Sequence, residues 1–248
     1  MLLVQRGLAP SRERARALLL AGHVFSVDRR IDKAGTLLPT DAPLRLRVPD
    51  HPYVSRGGVK LAAALDAFGV DPMERLCADI GASTGGFTDC LLRRGARRVY
   101  AIDVGHGQLH PKLRVDPRVV CLEGINARHL HAHALPERVE LAVVDASFIS
   151  LRLLLEPIAS ILRPGAPLIA LVKPQFEVGR RSIRGGVVRN ASDRRAAIDA
   201  VADAARRIGY AVLGGVDSVL PGPAGNVEAF LHLVWGGLER CANGAPED

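Results

Sequence analysis

Apolar and polar positions change their period twice along this chain. From Ser11, an N-cap candidate, apolar Ala15, Leu18 and Leu19 recur at helical spacing within a basic run, and Gly22 stops the helix. Val24–Val27 and Leu44–Val48 read as short strands, the second alternating apolar with basic positions. Pro49-Asp50-His51-Pro52 then breaks the pattern. An amphipathic helix, Val59–Phe68, opens a long alternation of two periods. Strands are expected at Leu76–Ile80, Arg98–Asp103, Val119–Leu122, Glu140–Asp145, Pro167–Lys173, Ala211–Val216 and Glu228–Val234. Helices are expected at Gly86–Arg94, Leu151–Leu162 and Asp193–Ile208. Strands alternating with helices predict an α/β fold: a doubly wound, mostly parallel, Rossmann-like seven-stranded sheet after a small α+β unit. The expected division is residues 1–48 for the small unit, 49–54 for a linker, 55–236 for the sheet domain and 237–248 for a frayed tail.

Composition narrows the function classes. With 248 residues, 48% hydrophobic and 24% charged, the chain is neither disordered nor fibrous. No apolar run approaches the roughly 20 residues of a membrane span, and the N-terminus lacks the pattern of a signal peptide, so a cytoplasmic protein without stable membrane association is expected. The balance of 33 Lys+Arg against 26 Asp+Glu, net +7, favours an anionic partner. Up to Asp50, nine cations face five acids, and Arg12 and Arg16 share a helix face suited to phosphates. Only four cations are lysines (Lys33, Lys60, Lys112, Lys173), which makes each a candidate for proton chemistry that arginine cannot perform. The four cysteines form no C-x-x-C pair and have no histidine at ligand spacing, so no metal site is expected.

The first strand of the alternation runs into Asp79-Ile80-Gly81-Ala82-Ser83-Thr84-Gly85-Gly86-Phe87. Glycines let a backbone approach a ligand, and the helix that follows offers free N–H groups. The spacing is not G-x-G-x-x-G, and no G-K-[ST] is present, so neither a dinucleotide fingerprint nor a P-loop applies. Asp103 ends the next strand, where an acid would hold ribose hydroxyls. Strand-end acid, glycine turn and second strand-end acid, in that order, read as a pocket for S-adenosylmethionine.

Asp145 and Lys173 end two further strands, on the sheet edge where open α/β folds bind ligands. Lys60 begins the helix before the sheet and Glu228 begins the last strand. Two lysines and two acids could tune one lysine into a general base for a weakly acidic hydroxyl; they could equally be a structural ion-pair cluster.

These residues resemble the TlyA family of ribosomal RNA 2′-O-methyltransferases, often called haemolysins. The resemblance runs through Gly7–Glu13, Tyr53–Leu61, Gly81–Thr88, Asp103–Leu109, Asn126–Arg128, Asp145–Leu151, Val172–Gly179, Gly185–Val188 and Gly222–Glu228. It implies an S4 RNA-binding domain followed by an FtsJ-like methyltransferase domain, with a Lys-Asp-Lys-Glu tetrad at Lys60, Asp145, Lys173 and Glu228. The donor set it implies is Asp79, Gly81, Ser83, Thr84, Gly85, Gly86, Phe87, Asp103, Val104 and Asn126. Its RNA contacts fall on Arg6, Arg12, Arg16, Arg56, Arg128 and Arg180. The expected reaction is S-adenosylmethionine-dependent 2′-O-methylation of cytidine in ribosomal RNA or a ribosomal subunit, by a monomer. The usual Arg-Leu-Asp opening is missing, Gly124 stands where many relatives carry arginine, and the short C-terminus favours the large subunit. Two rivals remain: a membrane-active haemolysin, which would need a strongly amphipathic basic helix, and a non-catalytic RNA-binding module, which would have no use for the tetrad.

Overall fold

A computed structural model describes residues 2–20, 22–27, 29–47, 51–179, 182–183 and 185–236. The chain divides into two compact units between Pro52 and Tyr53. The first holds α1 (Leu2–Gln5), α2 (Arg12–Leu20), β1 (Val24–Ser26), β2 (Arg29–Arg30) and β3 (Leu44–Leu46). Ser11 Oγ accepts from the Arg14 amide at 3.1 Å, which is the cap expected of it. The strands form an antiparallel sheet in the order β2-β1-β3. Leu3, Ala9, Ala15, Leu18, Val24 and Ile31 make its small core.

The second unit begins earlier than the linker expectation placed it. Val54 N–H donates to Asp89 Oδ2 at 2.9 Å, and Tyr53 packs against the unit's core. Its elements are α3 (Gly57–Phe68), β4 (Leu76–Ile80), α4 (Gly86–Arg93), β5 (Arg98–Asp103), α5 (Pro111–Arg114), β6 (Val119–Glu123), β7 (Leu141–Val144), α6 (Leu155–Ile161), β8 (Pro167–Val172), α7 (Pro174–Glu177), α8 (Ala191–Ile208), β9 (Tyr210–Asp217) and β10 (Ala229–Trp235). The seven-stranded sheet has the order β6-β5-β4-β7-β8-β10-β9. Strands β4 to β8 are parallel; β10 is antiparallel to both β8 and β9. Every residue of β4 and β7 is buried, as strands covered on both faces require. One face packs under α6 and α8 through Ile80, Val144, Leu155, Ile158 and Val201. The other packs under α3 and α4 through Leu61, Leu65, Cys77, Leu91 and Phe230.

Four elements depart from the pattern-based expectation. The helix expected over Leu151–Leu162 is a 3-10 turn, Leu151–Leu153, followed by α6. Ser150 caps the turn by accepting from the Arg152 amide, and Pro157 fits in the first turn of α6, where a missing N–H costs nothing. Helix α3 starts two residues early, at Gly57-Gly58, which as glycines read as breakers. A Cβ at Gly58 would lie 2.3 Å from Tyr53 Cγ, and one at Gly86 would lie 2.1 Å from Ser55 Oγ and 3.0 Å from Gly58 N. The glycines therefore let the starts of α3 and α4 touch. The strands expected to end on Asp145 and Lys173 stop one residue short, and Lys173 instead takes the N-cap position of the short helix α7.

Candidate active site

The strand order reverses between β4 and β7, and in open α/β sheets this is where loops diverge and leave a crevice. The glycine turn after β4 and the Asp145 loop after β7 lie side by side there: a Cβ on Gly81 would meet Asp145 O at 2.6 Å. Gly81 and Gly85 both have positive φ, at 82° and 93°, which side-chain-bearing residues adopt only under strain.

Asp79 is fully buried beneath this turn. Its Oδ2 accepts from the Thr88 amide at 2.8 Å and the Thr88 hydroxyl at 2.6 Å, tying β4 to the first turn of α4. Its Oδ1 is buried without a partner. Burial pushes the carboxyl up to about 7, the Thr88 bonds oppose this, and Asp145 and Asp103 add to it. Asp103 Oδ2 accepts from Ser83 N–H at 2.8 Å and Oδ1 from Gly105 N–H at 2.7 Å, so this acid shapes two loops at once. Each of its oxygens keeps a second lone pair. Beside it Val104 is 67% exposed, an apolar surface offered at a strand end. Ser83, Thr84 and Asn126 are also exposed; Asn126 Oδ1 caps the turn at Ala127–His129.

Not every expected donor residue can present its side chain. The Phe87 ring is buried in the core, 6.0 Å from the Phe230 ring, so only its backbone can face a ligand. A Cβ at Gly85 would point not into the crevice but into Leu113 Cδ1 at 2.3 Å and Leu109 Cδ1 at 2.8 Å. The features that fit S-adenosylmethionine are an orphaned buried acceptor at Asp79, a strand-end acid at Asp103 and an apolar ledge at Val104. Three neighbouring carboxylates suit its positive charge.

The four tetrad residues form two ion pairs on the same sheet edge. Lys173 Nζ lies 2.6 Å from Asp145 Oδ1 and donates to Ser147 Oγ at 2.7 Å. Lys60 Nζ donates to Glu228 Oε2 at 2.5 Å, with both side chains buried. The antiparallel course of β10 brings the pairs to one edge: Ala229 is in register with Val172, so Glu228 and Lys173 flank that pair. Arg56 stands beside this edge and donates to Pro221 O at 3.2 Å.

Sequence reasoning missed three side chains here. Ser147 holds Lys173. Phe148 is 91% exposed with φ 64° and pairs with Phe176, ring centroids 5.3 Å apart. Glu177 bonds back to the Asp145 loop. The signals for all three were their place within two to four residues of Asp145 or Lys173 and their membership of the Asp145–Leu151 and Val172–Gly179 motif runs.

Of the expected RNA contacts, Arg12 and Arg16 are exposed on α2, and Arg128 is exposed. Arg6 is exposed as well, and it donates to Ala42 O at 2.5 Å and to Thr40 O, so part of its guanidinium also ties down the Thr40–Ala42 segment. Arg180 lies outside the described residues. Among the described residues there is no cluster able to hold a metal and no helix long and apolar enough to cross a membrane.

Comparison with known proteins agrees with this geometry. Residues 53–235 match the FtsJ-like methyltransferase family. The chain is 47% identical over 238 residues to a Mycobacterium tuberculosis protein described as 16S/23S rRNA (cytidine-2′-O)-methyltransferase TlyA, covering 93% of this chain and 87% of that one. It is 36% identical to a Campylobacter jejuni protein described as 23S rRNA (cytidine-2′-O)-methyltransferase TlyA, over 80% and 77%. Among solved structures, a Streptococcus thermophilus protein provisionally described as a hemolysin is 41% identical, with a TM-score of 0.78 over 95% of this chain and 87% of that one.

Proposed function

This chain belongs to the FtsJ-like methyltransferases and, within them, to the TlyA proteins, and from that premise we propose that it methylates the 2′-hydroxyl of a cytidine in ribosomal RNA. S-adenosylmethionine would be held by the Asp79–Gly86 turn together with Asp103, Val104 and Asn126, and would supply an electrophilic methyl group. The observation that carries the reading is the Lys173–Asp145–Ser147 cluster one residue beyond two adjacent parallel strands, next to that turn.

In this reading Asp145 and Ser147 face two of the four tetrahedral directions around Lys173 Nζ, and the deprotonated amine turns its lone pair to the incoming hydroxyl. Lys173 orients that hydroxyl and takes its proton as the oxygen attacks. The buried Lys60–Glu228 pair sets the wall against which the ribose lies. Alignment of the attacking oxygen supplies much of the rate. The first unit acts as an S4-type RNA anchor through Arg12 and Arg16, with Arg56 and Arg128 as contacts in the second. RNA bound this way is recognised by phosphate position and shape. Large-subunit RNA is the proposed target, and the site is complete in one copy of the chain, consistent with a cytoplasmic monomer.

The test is Lys173→Ala with ribosomal RNA lacking the modification. Methyl transfer should fall by about 100-fold or more, the range lost with a general base, while donor affinity stays unchanged. Lys173→Arg should fail as well, since guanidinium holds its proton. Wild-type turnover in either variant overturns the assignment.

A further inference from the structure

Methyl transfer through Lys173 and Asp145 leaves a buried carboxylate beside them without a task. Glu177 ends α7, four residues after Lys173, and its side chain is 1% exposed. Its Oε2 accepts from Ser150 Oγ at 2.6 Å and its Oε1 from Leu151 N–H at 2.7 Å. Arg152 donates to Oε2 at 3.3 Å and to the Glu177 carbonyl at 3.4 Å. All these partners belong to the other loop, the one after β7. Burial pushes the Glu177 carboxyl up, while the Ser150 and Leu151 bonds and Arg152 hold it down. A carboxylate in this position is costly unless each bond is made.

The two loops carry the Lys173–Asp145 pair and the two aromatic rings beside it. One holds Asp145, Ser147 and Phe148; the other holds Lys173 and Phe176. Phe148 shows that the first loop is held under load: a non-glycine residue at φ 64° with its ring 91% exposed keeps that conformation only where its surroundings impose it. The Glu177 bonds begin two residues further on, at Ser150. The sheet also pins the loop's other end, since Asp145 N–H donates to Ile80 O at 2.9 Å.

We propose that Glu177 is a positioning residue for methyl transfer, a clamp that fixes the loop of Asp145 and Ser147 against Lys173. The inference rests on the catalytic reading of Lys173. It acts through geometry: small displacements at a reacting centre cost far more rate than affinity.

The experiment compares Glu177→Ala, Glu177→Gln, Ser150→Ala and Lys173→Ala in the full chain, with unmodified ribosomal RNA and S-adenosylmethionine as substrates. In Glu177→Ala, kcat should fall about tenfold or more while donor Kd and KM stay within about twofold. Glutamine can accept from Leu151 and donate to Ser150, so Glu177→Gln should recover to within about threefold of wild type. Ser150→Ala removes half of the clamp and should lower kcat about two- to fivefold, which keeps the test decisive if the alanine at 177 does not fold. The proposal is overturned if a folded Glu177→Ala turns over at the wild-type rate, if glutamine fails as badly as alanine, or if donor affinity falls in step with kcat. Full activity in Lys173→Ala would instead overturn the catalytic reading itself.

Discussion

Asp79 carries a conflict between stability and ligand binding that Asp79→Asn should expose. Its carboxyl is fully buried and pushed up to about 7 from an ordinary value of 3.8. A raised acid favours the protonated form in the folded chain. Stability from this group is therefore complete below about pH 4, declines as the unfolded chain ionises first, and levels off above about pH 7. A rise of about three pH units, at about 1.4 kcal/mol each, gives a cost of about 4 kcal/mol at pH 8, an order-of-magnitude figure. Asparagine can keep accepting from Thr88 while removing the charge. At pH 8 the variant should be the more stable by about 2–4 kcal/mol, and its advantage should be about 2–3 kcal/mol larger at pH 8 than at pH 5. Urea unfolding of both proteins at the two pH values measures this, and the difference between them cancels the other titrating groups. Donor affinity should move the other way, falling about tenfold as the orphaned acceptor loses its charge. An advantage that is the same at pH 5 and pH 8 would refute the argument, because it would show that no desolvated charge is present.

Gly85→Ala should lower stability by about 1–3 kcal/mol through strain and overpacking, since its Cβ enters Leu109 and Leu113, and any reduction of donor binding in calorimetry should follow from that distortion. Lys60→Met should lower stability by about 3–5 kcal/mol because it strands the buried Glu228, and Lys60→Met with Glu228→Leu should recover most of that deficit in thermal melts. Replacing Arg12 and Arg16 by glutamine should weaken RNA binding and reduce its log–log salt slope by roughly 0.7–0.9 for each phosphate no longer neutralised, with donor affinity unchanged by calorimetry.

Sheet and helix positions were legible in the sequence because each is written in local periodicity. Fully apolar runs such as Leu141–Val144 and Leu168–Val172 have the length of a core strand or a core helix segment, and their shortness and flanking turn residues favour the strand. The candidate chemistry was legible only in part: acids and a scarce lysine at strand ends fit a structural ion-pair cluster equally well, and the family motifs around them carried the assignment.

Pairing was decided by tertiary structure. That Lys60 meets Glu228 across 168 positions follows from the antiparallel course of β10, which starts at Ala229, one residue later than expected, and so leaves Glu228 just before it at the edge where the parallel strands end. Nothing in the local pattern of Glu228–Val234 shows its direction, since a strand reads alike either way. The contact of Gly86 with Gly57 and Gly58 is similar. In sequence Gly57-Gly58 reads as a helix breaker and Gly86 as part of a ligand turn; in the fold they let two helix starts meet. Arg6 shows the same limit for charge. As one basic residue among nine in the first unit it reads as a phosphate contact, but two backbone carbonyls, brought within reach by the path of Thr40–Ala42, take two of its five donors. Composition determines how many charges a surface has, while the course of the backbone decides which of them remain free for a ligand.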